Sequence, residues 1–231
     1  MEKEIILKTS NITKYYYEPV KFKALDNVSF EIRKGEFLTI TGKSGCGKTT
    51  LMYILSTMDT DYEGELSIAG EKITHQKQDK LAAIRNKNIG FVFQFHYLLP
   101  EFTCLKNVMI PALKLNKYSY EEVEHRAYQK LELLGIKEQA LKPASKISGG
   151  QQQRVAIARA LINEPKIIMG DEPTGNLDSK NSNIVLDIFH KLAADFGQTI
   201  ITVTHDLDFA SKSHRNIEMA DGIIINHGSR R

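Results

Sequence analysis

One stretch constrains the fold of this chain more than any other. Gly42-Lys43-Ser44-Gly45-Cys46-Gly47-Lys48-Thr49 follows the apolar run Phe37-Leu38-Thr39-Ile40-Thr41 and precedes a helical pattern that begins at Thr50. Glycines at this spacing let successive backbone N–H groups turn inward around a phosphate, and a helix starting behind them adds the partial positive charge of its N-terminus. In that setting Gly42 to Gly47 cradle the phosphates, Lys48 reaches the β- and γ-phosphates, and the Thr49 hydroxyl coordinates Mg²⁺ beside Thr50. The strand before and the helix after separate such a phosphate loop from an ordinary glycine-rich turn.

Three more short runs of β-branched and aromatic residues end in a polar group able to do chemistry. They are Gly90-Phe91-Val92-Phe93 before Gln94, Ile167-Ile168-Met169-Gly170 before Asp171, and Ile200-Ile201-Thr202-Val203-Thr204 before His205. Their alternation with helical patterns predicts an α/β fold, a phosphate-loop NTPase core with a mainly parallel sheet. Ligands of such sheets bind outside the carboxyl ends of the strands, where these residues fall. Glu4 to Lys8, Val28 to Ile32 and Glu65 to Ala69, punctuated by Asp26-Asn27 and by Gly35, Gly64 and Gly70, predict an N-terminal antiparallel β patch. Between Gln94 and Ser148 the pattern turns helical, with Val123, Ala127, Leu131 and Leu134 on one face, and Pro111 is expected to end or kink the helix that begins near Leu105. The expected organisation is one domain over 1–231, with a core of 1–94 and 156–231 and a helical subdomain at about 95–155.

The run ending in Asp171-Glu172 places one carboxylate toward the metal and the next toward the γ-phosphate. Asp171 would hold Mg²⁺ through water, and Glu172 would act as general base or orient the attacking water. Ser148-Gly149-Gly150-Gln151 has the S-x-x-Q form of a capping box, and its two glycines leave N–H groups open at a second helix N-terminus suited to an anion. Two phosphate-binding helix starts for one nucleotide suggest that the second serves another molecule's nucleotide.

These residues carry a resemblance. Tyr16, the phosphate loop, Gln94, Ile147-Ser148-Gly149-Gly150-Gln151, Asp171-Glu172, Gly175-Asn176-Leu177-Asp178 and His205 occur in the order and approximate spacing of the ATP-binding subunits of ABC transporters. The resemblance covers essentially the whole chain, although Ile147 replaces the usual leucine and Gly170 stands where a bulkier residue is common. It implies a head-to-tail homodimer with two ATP molecules sandwiched between the phosphate loop of one subunit and Ser148, Gly150 and Gln151 of the other. It further implies that Tyr16 stacks on adenine, Gln94 touches the metal and a transmembrane permease, His205 contacts the γ-phosphate, and residues 175–178 cross the dimer seam. Glu172, His205, Lys48 and Gln94 are then the expected catalytic set, and Thr49, Gln94 and Asp171 the metal-binding set. Within that family, the segment from Gln94 to Thr103 resembles that of the lipoprotein-releasing ATPases of bacterial envelopes. Tyr97 stands where that branch usually has a second histidine, and Gln151-Gln152-Gln153-Arg154 is closer to the macrolide and peptide exporters. A regulatory module that closes on ATP and signals to envelope enzymes without transport would carry the same sites.

Composition narrows the partners. With 31 Lys+Arg against 28 Asp+Glu the net charge is only +3, and the basic end Arg230-Arg231 is too short to argue for nucleic acid. No apolar run approaches the ~18 residues of a spanning helix, and Met1-Glu2-Lys3-Glu4 lacks the signature of a secretory signal. The expectation is a protein on the cytoplasmic side of the inner membrane, peripheral to it and in contact only through a permease. Cys104 is expected to pack in the helical subdomain. Cys46, inside the loop at a helix N-terminus, is expected to be open to a bulky maleimide unless ATP protects it.

Overall fold

The structure is a computed structural model that describes residues 4–228; Met1 to Lys3 and the pair Arg230-Arg231 lie outside the described residues. In chain order, β1 (Ile5–Tyr16), β2 (Phe22–Arg33), β3 (Phe37–Thr41), α1 (Lys48–Leu55), β4 (Glu63–Ile68) and β5 (Glu71–Lys72) come first. Then follow α2 (Gln78–Asn88), β6 (Ile89–Phe93), α3 (Cys104–Leu115), α4 (Tyr120–Leu133), α5 (Gly149–Leu161) and β7 (Ile167–Asp171). The chain closes with α6 (Ser179–Phe196), β8 (Thr199–Val203), α7 (Leu207–Ser211), β9 (Arg215–Ala220) and β10 (Ile223–His227). Two compact units result, Met1–Ala82 with His190–Arg231, and Ala83–Phe189. Among the described residues no helix is long and apolar enough to cross a membrane.

In the first unit an antiparallel sheet of order β2-β1-β4-β5 forms the expected patch, with Leu7 opposite both Ile32 and Ile68. Its strands run longer than the sequence pattern suggests. β2 continues through Asp26-Asn27 because Asn27 takes φ 51° and the ladder shifts register there, the extra length being absorbed as a bulge while Asn27 N donates to Thr13 Oγ1 at 3.1 Å. β3 is buried along all five residues and pairs in parallel with β8 and with β9, so Ile40 lies opposite Val203 and Ile217. A strand covered on both faces reads as a continuous apolar run, and its two threonines are satisfied internally, Thr39 sharing a 3.2 Å hydrogen bond with Thr202 and Thr41 Oγ1 donating to Asn216 Oδ1 at 3.1 Å.

In the second unit β6 and β7 pair in parallel, with Phe93 opposite Asp171, and α3, α4 and α5 pack on one another. α4 starts on a Ser119 cap, and Val123, Ala127, Leu131 and the following Leu134 are all buried, as the helical spacing predicts. Of the two outcomes expected of Pro111, ending the helix or kinking it, the first does not occur; α3 runs on to Leu115. A proline inside a helix costs about 3 kcal/mol. Burial of Leu105, Val108 and Met109 on the same helix offsets this at about 1.5–3 kcal/mol each. The Pro111 carbonyl is anchored besides, accepting from Asn86 Nδ2 at 3.3 Å and Asn163 Nδ2 at 3.2 Å.

Gly90 sets how closely α5 approaches β6, since a Cβ there would lie 2.3 Å from the Ala160 carbonyl oxygen. Gly90→Ala is therefore expected to cost about 1–3 kcal/mol by overpacking, read as a lower midpoint in denaturant. A variant as stable as the parent would remove this contact from the account.

Candidate functional site

The first unit supplies a phosphate cradle. α1 begins at Lys48, two residues before the expected start at Thr50, and Leu51 N makes its first helical hydrogen bond, to Gly47 O at 2.9 Å. Gly47 stands at the cap position with φ 101° and no side chain caps the helix. The N–H groups of the first turn therefore keep their capacity for an anion. A Cβ on Gly42 would lie 2.2 Å from Met219 O and one on Gly47 2.7 Å from Ala24 O, so the loop closes this tightly only with glycine at both places. Lys48 is 7% exposed, and its ammonium folds across the loop, donating to Gly42 O at 2.8 Å and Lys43 O at 3.0 Å. Lys43, Ser44, Gly45 and Thr49 are exposed and Thr50 is half-buried. An uncapped helix start, a pre-placed ammonium and an open loop fit a phosphate, and the Thr49 hydroxyl supplies a hard oxygen donor suited to Mg²⁺.

Cys46 departs from expectation. It is 5% exposed, with Sγ 3.9 Å from Lys48 Nζ. A bulky maleimide has little access, because the loop wraps inward onto its own cysteine. Cys104 is fully buried, and burial pushes its thiol pKa up.

His205 lies two residues past the end of β8 and is exposed, and the intervening Thr204 donates its N–H to Ile40 O at 3.1 Å. The histidine thus stands at the same carboxyl edge as the phosphate loop that leaves β3. Tyr16 ends β1, half exposed, with its ring stacked on Phe22 at 5.3 Å and 25°. Lys14 Nζ lies 5.1 Å from the Tyr16 ring centroid. Sequence reasoning passed over both supports. Burial works to lower the Lys14 pKa, but hydrogen bonds to Asp59 and Asp61 outweigh it and hold that pKa above its ordinary value.

The second unit gathers the other predicted residues. Gln94 follows β6 and lies against the turn after β7: Asn176 Nδ2 donates to Gln94 O at 3.1 Å, and a Cβ on Gly175 would meet Gln94 Nε2 at 2.8 Å. Asp171 ends β7 and Glu172 follows at φ 46°, both half-buried. The amide of Gln94 and the carboxylate of Asp171 are, like Thr49, hard oxygen donors of the kind Mg²⁺ takes. Ser148 caps α5 through the expected box, its Oγ accepting from Gln151 N and its N–H donating to Gln151 Oε1 at 2.9 Å. Gly150 abuts Asn181, whose Oδ1 would be 2.1 Å from an added Cβ. Asp178 holds Asn181, accepting from its backbone N at 2.8 Å and from its amide at 2.9 Å, and the backbone bond foremost keeps the carboxyl below its usual range.

Sequence reasoning also missed Asn181, Gln153 and Arg159. Arg159 donates to His96 O and Tyr97 O, both at 2.6 Å, residues that take φ 39° and 46° just after Gln94. The available signal was polarity on the buried side of α5, where Gln153 is 1% exposed.

Residues 25–175 match the family model described as ABC transporter. The lipoprotein-releasing system ATP-binding protein LolD 1 of Chlorobium chlorochromatii is 46% identical over 200 residues, covering 87% of this chain and 81% of that protein. LolD of Aquifex aeolicus is 44% identical over 220 residues, 95% of this chain and 96% of its own. Among solved structures, a dimeric post-hydrolysis state of an ATP-binding cassette bound to ADP and Pi superposes with a TM-score of 0.90 at 39% identity, covering 98% of this chain and 99% of that one.

Proposed function

The chain belongs to the ABC transporter family as an ATP-binding subunit that hydrolyses ATP to power transport, and from that premise we propose that two copies, head to tail, drive a transmembrane permease that releases lipoproteins from the inner membrane. The lipoprotein substrate rests on the names of relatives 44–47% identical over most of the chain. The dimer is supported by the dimeric state of the solved cassette and by a second glycine-bearing helix start, the Ser148-capped one of α5, in a chain that already has the uncapped start at Gly47. Phe95, Tyr97, Leu99 and Phe102 are exposed within eight residues after Gln94, an apolar surface suited to the permease. Attachment to that permease would keep the protein peripheral, on the cytoplasmic side.

In this reading Tyr16 stacks on adenine. Gly42 to Gly47, Thr49 and Thr50 bind the phosphates through backbone and hydroxyl groups. Lys48 exchanges its two loop carbonyls for β- and γ-phosphate oxygens, a stronger charge-assisted pairing. Thr49, Gln94 and Asp171 would hold Mg²⁺, which would supply positive charge beside the phosphate oxygens. Glu172 orients the attacking water and accepts its proton, while His205 contacts the γ-phosphate. Ser148, Gly150 and Gln151 close over the partner's nucleotide.

Mixing two inactive subunits tests completion in trans. Ser148→Arg is expected to be inactive alone, since the long cation fills the phosphate space while the lost cap costs only about 1 kcal/mol, too little to unfold the chain. Lys48→Ala is also expected to be inactive alone. A mixed dimer retains one intact Lys48 facing one intact Ser148, so mixing should restore measurable ATPase activity. Full activity of Ser148→Arg as a dilute monomer would refute completion in trans. Lipoprotein release is tested by co-purifying the permease and following lipoprotein transfer from proteoliposomes on ATP addition, where no transfer despite turnover would reject that substrate.

A further inference from the structure

Glu172 holds φ at 46°, a conformation that costs an L side chain energy and persists where its surroundings over-determine it. Two hydrogen bonds inside the turn contribute, Gly175 N to Glu172 O and Leu177 N to Thr174 O, each at 3.0 Å. A third comes from α5. Gln153, in the second turn of α5 and 1% exposed, donates Nε2–H to Pro173 O at 2.5 Å. The amide can face that carbonyl only with its donor end, which leaves Oε1 without a hydrogen-bond partner among the described residues. A buried amide with one end unpaired is a poorer packing group than a thioether of similar length. Packing alone therefore does not explain glutamine at this place, whereas its one bond lands on the peptide immediately after Glu172.

We propose that Gln153 is a positioning residue for Glu172: its hydrogen bond to Pro173 O pins the turn that aims the carboxylate. The proposal rests on the water-orienting role given above to Glu172. It also joins two functions of the subunit, because the helix that carries Gln153 begins at Ser148. The helix whose start serves the partner's nucleotide is thus hydrogen-bonded, one turn further on, to the turn that serves the subunit's own.

Gln153→Met keeps the length and removes the donor. A misaimed catalytic group loses on the order of 10²-fold for a displacement of about 1 Å, so kcat is expected to fall about 10- to 100-fold. Affinity for a fluorescent ATP analogue should stay within about two-fold, since Gln153 contacts no phosphate-loop group in this reading. Gln153→Glu supplies a signature that a merely structural role would not. A protonated carboxyl donates to Pro173 O and an ionised one cannot, and burial beside a carbonyl oxygen raises the acid's pKa. Turnover of Gln153→Glu should therefore be near parental at low pH and decline as pH rises through that raised pKa, a limb absent from the parent.

A kcat for Gln153→Met within about two-fold of the parent overturns the proposal, and so does a loss of nucleotide affinity as large as the loss of kcat. If Gln153→Met does not fold, the Gln153→Glu profile decides, the extra limb supporting the proposal and a parental profile overturning it. Glu172→Gln in the same assay separates the two layers. Parental turnover in that variant removes the role of Glu172 itself, whereas an inactive Glu172→Gln beside a fully active Gln153→Met removes only the positioning role.

Discussion

Glu172→Gln is expected to lower ATP turnover by about 10²- to 10⁴-fold, the usual contribution of a placed general base, while ATP binding survives. The amide keeps the size of the side chain, and a glutamine meets the same backbone demand as the glutamate at φ 46°. The hydrogen bonds named above that hold the turn, Gly175 N to Glu172 O and Gln153 Nε2 to Pro173 O among them, fall on main-chain oxygens and not on the carboxylate. What is lost is the charge that orients water and takes its proton. Binding without discharge should then accumulate an ATP-bound dimer, seen as an earlier elution in size-exclusion chromatography with Mg-ATP than without. Hydrolysis at the parental rate would exclude Glu172 from the reaction.

Lys48→Ala should fail one step earlier, at binding. The ammonium is pre-placed over the loop by Gly42 O and Lys43 O, and in the nucleotide complex it is the loop's only full positive charge held inside rather than on the exposed rim. Hydrogen bonds to charged groups contribute about 1.5–3 kcal/mol each, which corresponds to a loss of roughly 10- to 100-fold in ATP affinity per bond. The fold should survive, because the two carbonyls belong to a loop that water reaches. A fluorescent ATP analogue titrated against parent and variant measures the loss, and unchanged affinity with unchanged turnover would exclude the loop as the nucleotide site. Together the two variants separate holding the phosphates from spending them: one keeps affinity and loses turnover, the other loses both.

Local pattern carried a large part of this molecule. The phosphate loop, the four apolar strands that end in Thr41, Phe93, Asp171 and Val203, the Ser148 capping box and the buried stripe of α4 all depend on contacts within one strand, one turn or a few residues. Periodicity and spacing report such contacts directly. The outcome differed where distant residues decided the energy. Pro111 stays within α3 because Asn86 and Asn163, 25 and 52 residues away, take up its carbonyl and because the helix buries its apolar face. β2 runs through Asp26-Asn27 because β1 offers Thr13 Oγ1 to the bulge. Cys46 is shielded because the loop folds back over it, which its motif alone does not reveal. The supports of the site, Lys14 on Asp59 and Asp61, Asn181 on Asp178 and Gln153 on Pro173, are polar side chains whose partners only the tertiary fold supplies. An unpaired polar group and a paired one look alike in a sequence; burial and the partner's position separate them, and both are set by the packing of the whole chain.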